Sequence, residues 1–305
     1  MQVAGSVGPF GACLGDGSEY SGNYVDTMSL CDVNASHADP TRWSKENISP
    51  RQAEYCSASL RESRNGTKVN VEDLMAFHIP RIDALVAADC DMLAIETIPC
   101  IKEIEALCTL LKTRYPCIPA WLSMSCRDST KLHSGENISE AVQVADQIAG
   151  NQIVAIGCNC VHPKFVTGIL ETIQSVKSPH ISSEGNTLAS MEKMSPAQAL
   201  KATCSRIRKG TSSKYPCGAG TVIQTLYPRV FPFLRRACVA YPNSGEIWDD
   251  DNEKWVCEQD TPSMESFSQE AFRFRTAGAA MVGGCCRTTP EYIGYLRQAL
   301  KCAGK

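Results

Sequence analysis

Two adjacent cysteines, Cys285 and Cys286, follow two glycines in a GGCC run, and Cys160 closes a GCNC segment far upstream. Thiolates are soft metal ligands and the sulfur nucleophiles of alkyl transfer. Neighbouring side chains on a regular strand point to opposite faces. For both sulfurs of the pair to reach one metal ion, the chain must therefore leave strand geometry there. Gly283 and Gly284 permit such a departure at little steric cost. The alternative is two unrelated buried cysteines in a chain that holds 17 in 305 residues, so spacing alone favours metal binding only modestly. The spacing is also not the paired CxxC arrangement of a structural zinc site. Cys158 competes with Cys160, since at period two it shares the same strand face, and His162 lies close enough in sequence to reach the same metal.

Three thiolates suit zinc and leave a fourth position open for a substrate. With a substrate thiolate in that position the centre becomes anionic, so its sulfur stays electron-rich and attacks soft electrophiles such as a sulfonium methyl group. Other polar residues gather where apolar runs end: Ser6 in GSVGP, Glu96 in AIETIP, Arg127 and Asp128 after LSMSC, Asn243 and Glu246 in YPNSGE. Turn residues are needed at the strand ends of any parallel sheet, which accounts for Ser6 and Asn243 without chemistry.

A barrel would bring such distant residues together, because its strand ends meet at one rim. Apolar runs at 3–7, 92–96, 120–125, 153–157, 238–242 and 280–284 read as buried strands. Helical patterns lie between and after them, at 72–88, 101–114, 139–149, 163–176, 263–277 and 290–302. Pro80 is expected to kink the first, Ser139 to cap the third and Pro290 to open the last. Strands alternating with helices imply βαβ units and a parallel sheet. Two segments break the rhythm, about 26–70 and 175–236, the second with a short helix expected near 196–207. Both read as insertions into one domain spanning 1–305, and no solenoid repeat occurs.

Composition sets the class. Hydrophobic residues make up 43% and charged residues 21%, with a net charge of −3, which gives no electrostatic case for nucleic acid. No run approaches the roughly 18 apolar residues of a membrane helix. The N-terminus lacks a basic region followed by an apolar core, so a secretory leader is not expected. Sequons at Asn34, Asn47, Asn65 and Asn137 carry little weight without one. A cytoplasmic protein with reduced thiols is expected.

The segments VAGSVGPFGACLGDGSEYSGNY, FHIPRIDAL, DMLAIETIP, IVAIGCNC, VAYPNSGEIWD and MVGGCCRTTPEYI, in this order, resemble the homocysteine S-methyltransferase family across almost the whole chain outside the insertions. RTTP and YPNSGE resemble the branch using S-methylmethionine or S-adenosylmethionine. The resemblance implies a zinc-dependent (β/α)8 TIM-type barrel. It implies Cys160, Cys285 and Cys286 as zinc ligands and as the catalytic centre, with homocysteine sulfur as the fourth ligand. It matches Glu96 to the acidic residue that binds the amino group of homocysteine, against the alternative that Glu96 merely caps the next helix, and it makes Asn243 and Ser244 pocket residues. The implied reaction is methyl transfer from a sulfonium donor to homocysteine, forming methionine. The family begins with two further βα units, so this chain is expected to hold about six. That leaves two alternatives open, a catalytically impaired zinc-binding member and a betaine-using homologue.

Overall fold

The computed structural model describes residues 3–14, 17–25, 69–176, 237–249, 254–257 and 262–302. The insertions at 26–70 and 175–236 lie outside these residues except at their ends, as does the helix expected near 196–207.

Six parallel strands form one sheet in the order of the chain. They are β1 (Ala4–Val7), β2 (Met92–Ile98), β3 (Ala120–Met124), β4 (Ile153–Asn159), β5 (Cys238–Tyr241) and, after a two-stranded antiparallel hairpin of β6 (Ile247–Asp249) and β7 (Lys254–Val256), β8 (Ala279–Val282). The register runs Ala4↔Met92, Leu93↔Ala120, Ala120↔Ile153, Ile156↔Cys238 and Cys238↔Ala279. The sequential order is that of a barrel wall, because a doubly wound sheet reverses its order at a switch point.

Helices α1 (Val71–Ala87), α2 (Ile101–Thr113), α3 (Ile138–Ile148), α4 (Pro163–Ser175), α5 (Met264–Thr276) and α6 (Pro290–Cys302) follow the strands, and each packs on the next. The result is an arc of a βα barrel. Every residue of β4 is buried, and Ile95, Leu122, Ile156, Leu107, Val142 and Ile169 share the continuous core between sheet and helices. Strands covered on both faces need apolar side chains on both, which is why they read as unbroken runs. Gly157 is needed in β4: a Cβ there would lie 1.6 Å from the Val239 carbonyl oxygen of β5.

Local boundaries differ from expectation for identifiable reasons. The third helix starts one turn position earlier, at Ile138, with Asn137 rather than Ser139 as the capping residue. β2 continues past Glu96 to Ile98 through an irregularity in its pairing with β3. Pro80 sits inside α1, whose start is set by a reciprocal capping box between Asn70 and Asp73. Pro290 begins α6 as expected.

A second, smaller core holds the loop after β1. Phe10, Leu14, Tyr24 and Val25 pack on Leu74 and Phe77 of α1 and on Ala106 of α2. At its centre the Glu103 carboxylate accepts the Phe10 amide at 2.6 Å, meets His78 Nε2 at 2.7 Å and accepts the Tyr24 hydroxyl. Burial lowers the His78 pKa and raises that of Tyr24, so both are neutral donors to the one carboxylate. This knot ties Phe10 and Tyr24 to the first two helices. No helix of the described residues is long and apolar enough to cross a membrane.

Candidate metal centre

The C-terminal ends of β4, β5 and β8 are laced together by backbone hydrogen bonds. After β5, the chain segment 241–244 runs between the loop of Cys160 and the loop of Cys285 and Cys286. Cys160 N donates to the Tyr241 carbonyl at 3.3 Å and Asn243 N donates to that of Val161 at 3.1 Å. On the other side, Cys285 N donates to the Pro242 carbonyl at 2.7 Å and Ser244 N to that of Cys286 at 3.0 Å. Asn243 and Ser244 thus join the two cysteine loops through their main chain. Their side chains turn locally: Asn243 Oδ1 accepts Gly245 N at 3.1 Å, and the buried Ser244 hydroxyl donates to Glu246 Oε2 at 2.9 Å.

This lacing brings Cys160, Cys285 and Cys286 to one place, with their sulfurs within 4.8 Å of one another. Cys160 and Cys285 are drawn into disulfide contact, with Cα atoms 5.6 Å apart. Cys286 Sγ lies 3.7 Å from Cys160 Sγ. Two sulfurs on one tetrahedral zinc ion, each about 2.3 Å from it, lie about 3.8 Å apart. The donor set and the Cys160–Cys286 spacing fit a single metal ion of that kind, whereas Cys160 and Cys285, paired with each other here, would have to part to bind it.

The chain does leave strand geometry at the cysteine pair, although not through glycine torsions. Thr288 folds back, giving its amide and its hydroxyl to the Cys285 carbonyl at 3.2 and 2.7 Å. Gly284 is required there because a Cβ would meet Thr288 Oγ1 at 2.2 Å, whereas at Gly283 the nearest atom would be an ordinary 3.5 Å away. The positive φ falls on Arg287, at 64°. Thr97 (φ 64°) and Cys160 (φ 50°) share it, so three of the four non-glycine residues with positive φ among the described residues stand at this mouth. Such torsions cost about 1–2 kcal/mol each outside glycine and persist where surrounding contacts over-determine them.

The competing ligands stay apart. Cys158 is fully buried within β4, its thiol pKa pushed up by burial and then by Cys238, and it lies outside the cluster. His162 caps α4, its Nδ1 accepting Lys164 N at 3.2 Å.

Glu96 does not cap α2, whose capping residue is Cys100. Its carboxylate instead accepts Ser6 Oγ at 2.5 Å and the Tyr241 hydroxyl at 2.9 Å, and that hydroxyl accepts Trp121 Nε1 at 3.2 Å. Burial and the neighbouring Glu96 charge push the Tyr241 pKa well up, so the phenol stays a donor. Next to Glu96, Thr97 N donates to Asn159 Oδ1 at 2.8 Å, and Asn159 Nδ2 donates to Thr97 Oγ1 at 2.7 Å and approaches Cys285 Sγ at 4.0 Å. Tyr241, Trp121, Asn159 and Thr97 carry no motif that marks them individually. Their signal was position alone, at the ends of apolar runs.

Tyr20, also unmarked by spacing, stands close enough to Cys286 to feel its charge. Burial first, and then the charge of Cys286, push its pKa to about 12. Its ring stands edge-on to His133, centroids 5.8 Å apart. His133 is held down to about 4 by burial and then by the Arg127 charge, and is neutral at physiological pH.

A family model described as Homocysteine S-methyltransferase matches residues 46–300. Homocysteine S-methyltransferase 3 of Arabidopsis thaliana is 28% identical over 298 residues, which cover 98% of this chain and 57% of that protein. The betaine-homocysteine S-methyltransferase of Drosophila melanogaster is 28% identical over 301 residues, covering 97% and 61%. Among solved structures, the homocysteine methyltransferase MmuM from Escherichia coli is similar in its oxidized form, with a TM-score of 0.55, and in its metallated form, with 0.54. Both are 26% identical, and the likeness covers 98% of this chain and 61% of MmuM. The chain thus spans about three fifths of the length of these relatives.

Proposed function

Because the chain belongs to the homocysteine S-methyltransferase family, we propose that it transfers a methyl group to the thiol of L-homocysteine, forming methionine, with Cys160, Cys285 and Cys286 holding a zinc ion. S-methylmethionine or S-adenosylmethionine is the donor in this reading, because RTTP follows the cysteine pair and YPNSGE follows β5. The observation that carries the proposal is the convergence of three sulfurs from two distant strand ends on one point. A zinc ion there, with a fourth position open, favours the thiolate form of a substrate sulfur.

The chain's own residues orient that substrate. Glu96 offers its carboxylate to the homocysteine ammonium, and Ser6 and Tyr241 hold one oxygen each so that it points one way. Asn159 sets the spacing between the Glu96 strand and Cys285. Asn243 and Ser244, between the cysteine loops, complete the substrate wall. Methyl transfer between two sulfurs needs no proton in flight, so alignment of the two carries much of the rate.

Residues 1–305 are read as one homocysteine-binding barrel domain, acting on small molecules in a reducing cytoplasm that keeps the thiols free. A zinc-binding member without turnover is the second reading. The test is methionine formation by the reduced 305-residue chain from homocysteine with S-methylmethionine, S-adenosylmethionine or betaine. Turnover with a sulfonium donor supports the first reading, turnover with betaine alone replaces the donor, and bound zinc without turnover selects the second.

A further inference from the structure

Both substrates of the proposed reaction carry a positive charge, and the two charges differ in kind. The homocysteine ammonium has N–H donors, which suit the hydrogen-bonded carboxylate of Glu96. A sulfonium centre has no N–H to give. It is held instead by unneutralised negative charge and by an aromatic face, as methylated onium ions generally are. The donor therefore calls for a second carboxylate beside an open aromatic ring.

The loop after β1 holds such a pair. Glu19 Oε2 is the only buried carboxylate oxygen without a hydrogen bond among the described residues. An oxygen so shut off from water is stabilised by a nearby cation. Tyr20 follows it in the same 3-10 turn, Ser18–Tyr20, and is 46% exposed. Its ring is propped on one side by His133, with centroids 5.8 Å apart and an interplanar angle of 74°. His133 brings no competing charge at physiological pH, because burial first and then Arg127 hold its pKa at about 4. The Arg127 guanidinium itself pairs with Asp128 at 3.5 Å.

This turn sits on the rim that carries Glu96. A Cβ on Gly22 would lie 3.0 Å from Ser134 Cβ and 3.3 Å from the carbonyl oxygen of Pro99, which directly follows β2. Ser134 N donates to the same carbonyl at 3.1 Å, and His133 N to that of Ser125, just past β3, at 3.2 Å. Glu19 and Tyr20 thus stand at the C-terminal ends of β2 and β3. In a parallel sheet this is also the side from which the cysteine loops rise.

We propose that Glu19 and Tyr20 form the donor subsite, the Tyr20 ring receiving the sulfonium methyl groups and the Glu19 carboxylate supplying the countercharge. The inference rests on the proposed methyl transfer and adds to it where the donor's cation is held.

The test is equilibrium binding to the reduced 305-residue chain without homocysteine, by isothermal titration calorimetry. The probes are S-methylmethionine, S-adenosylmethionine, betaine and, as a neutral thioether, methionine. The parent should bind at least one of the two sulfonium compounds about tenfold or more tighter than methionine. Tyr20→Leu and Glu19→Gln should each weaken that sulfonium about threefold or more and leave methionine unchanged. Tyr20→Phe, which keeps the ring, should stay within about twofold of the parent. Unchanged sulfonium affinity in either Tyr20→Leu or Glu19→Gln would overturn the proposal, as would an equal loss of methionine. Tighter binding of betaine, or no sulfonium binding by the parent, would overturn it too. Methionine formation is measured separately, so a parent that selects a sulfonium without turning it over contradicts the proposed function and leaves the subsite standing.

Discussion

Asn159 and Thr97 are joined by two hydrogen bonds, amide N–H to Oδ1 at 2.8 Å and Nδ2 to Oγ1 at 2.7 Å. The pair ties the bulged end of β2, which carries Glu96, to the end of β4, which carries Cys160. The same Nδ2 lies 4.0 Å from Cys285. The positive φ of Thr97 is held by this clamp, so substrate carboxylate and cysteine cluster share one set of supports.

Asn159→Ala should therefore loosen metal binding without removing a ligand. Loss of an outer partner of a metal ligand typically costs ten- to hundredfold in affinity, and about tenfold or more is expected here. Competition with a chromogenic chelator reads it directly; unchanged zinc affinity would show that the clamp does not reach the cluster.

Glu96→Gln keeps the shape and the Ser6 and Tyr241 contacts but removes the charge offered to an ammonium group. Homocysteine KM should rise by about tenfold or more, with donor KM unchanged. A rise in donor KM alone would assign Glu96 to the other substrate.

Glu103→Ala strips the partner from Phe10 N, His78 and Tyr24 at once, all buried. Leaving such groups unpaired should destabilise the fold by about 3–5 kcal/mol. Urea unfolding of the variant and the parent measures this, and a loss below about 1 kcal/mol would contradict the assigned role of the knot.

The pH dependence of stability has a definite sign at His133. Its pKa falls from 6.5 to about 4 on folding, so below pH 6.5 the unfolded chain binds more protons than the folded one. The His133 contribution is intact above pH 6.5 and is lost as pH falls from 6.5 towards 4. Fully buried His78 acts in the same direction. His133→Gln should flatten the urea midpoint between pH 6.5 and 4, and an unaltered profile would mean the imidazole titrates normally in the fold.

Much of the barrel was legible because parallel strands covered on both faces must be apolar throughout. β4 reads IVAIGCN and is buried at every position. The cysteines were legible as types, since few residues do what three thiolates do. Their company was harder to see. Glu96 was placed at a strand end, whereas a pairing irregularity carries β2 on to Ile98 and turns the carboxylate to Ser6 and Tyr241. The Gly283–Gly284 run was read as torsional freedom, whereas the need is clearance for Thr288 at Gly284 alone. Asn137 displaced Ser139 as the capping residue because the helix begins one residue earlier than its polar signal. Asn159 acts through contacts between segments distant in sequence, which no local pattern encodes.

The most direct test of the central claim is zinc content and methionine formation measured on the same reduced 305-residue preparation, beside Cys285→Ser. About one zinc per chain with sulfonium-dependent methionine, and loss of most of both in Cys285→Ser, is the predicted result. Retention of zinc and turnover in Cys285→Ser would contradict it.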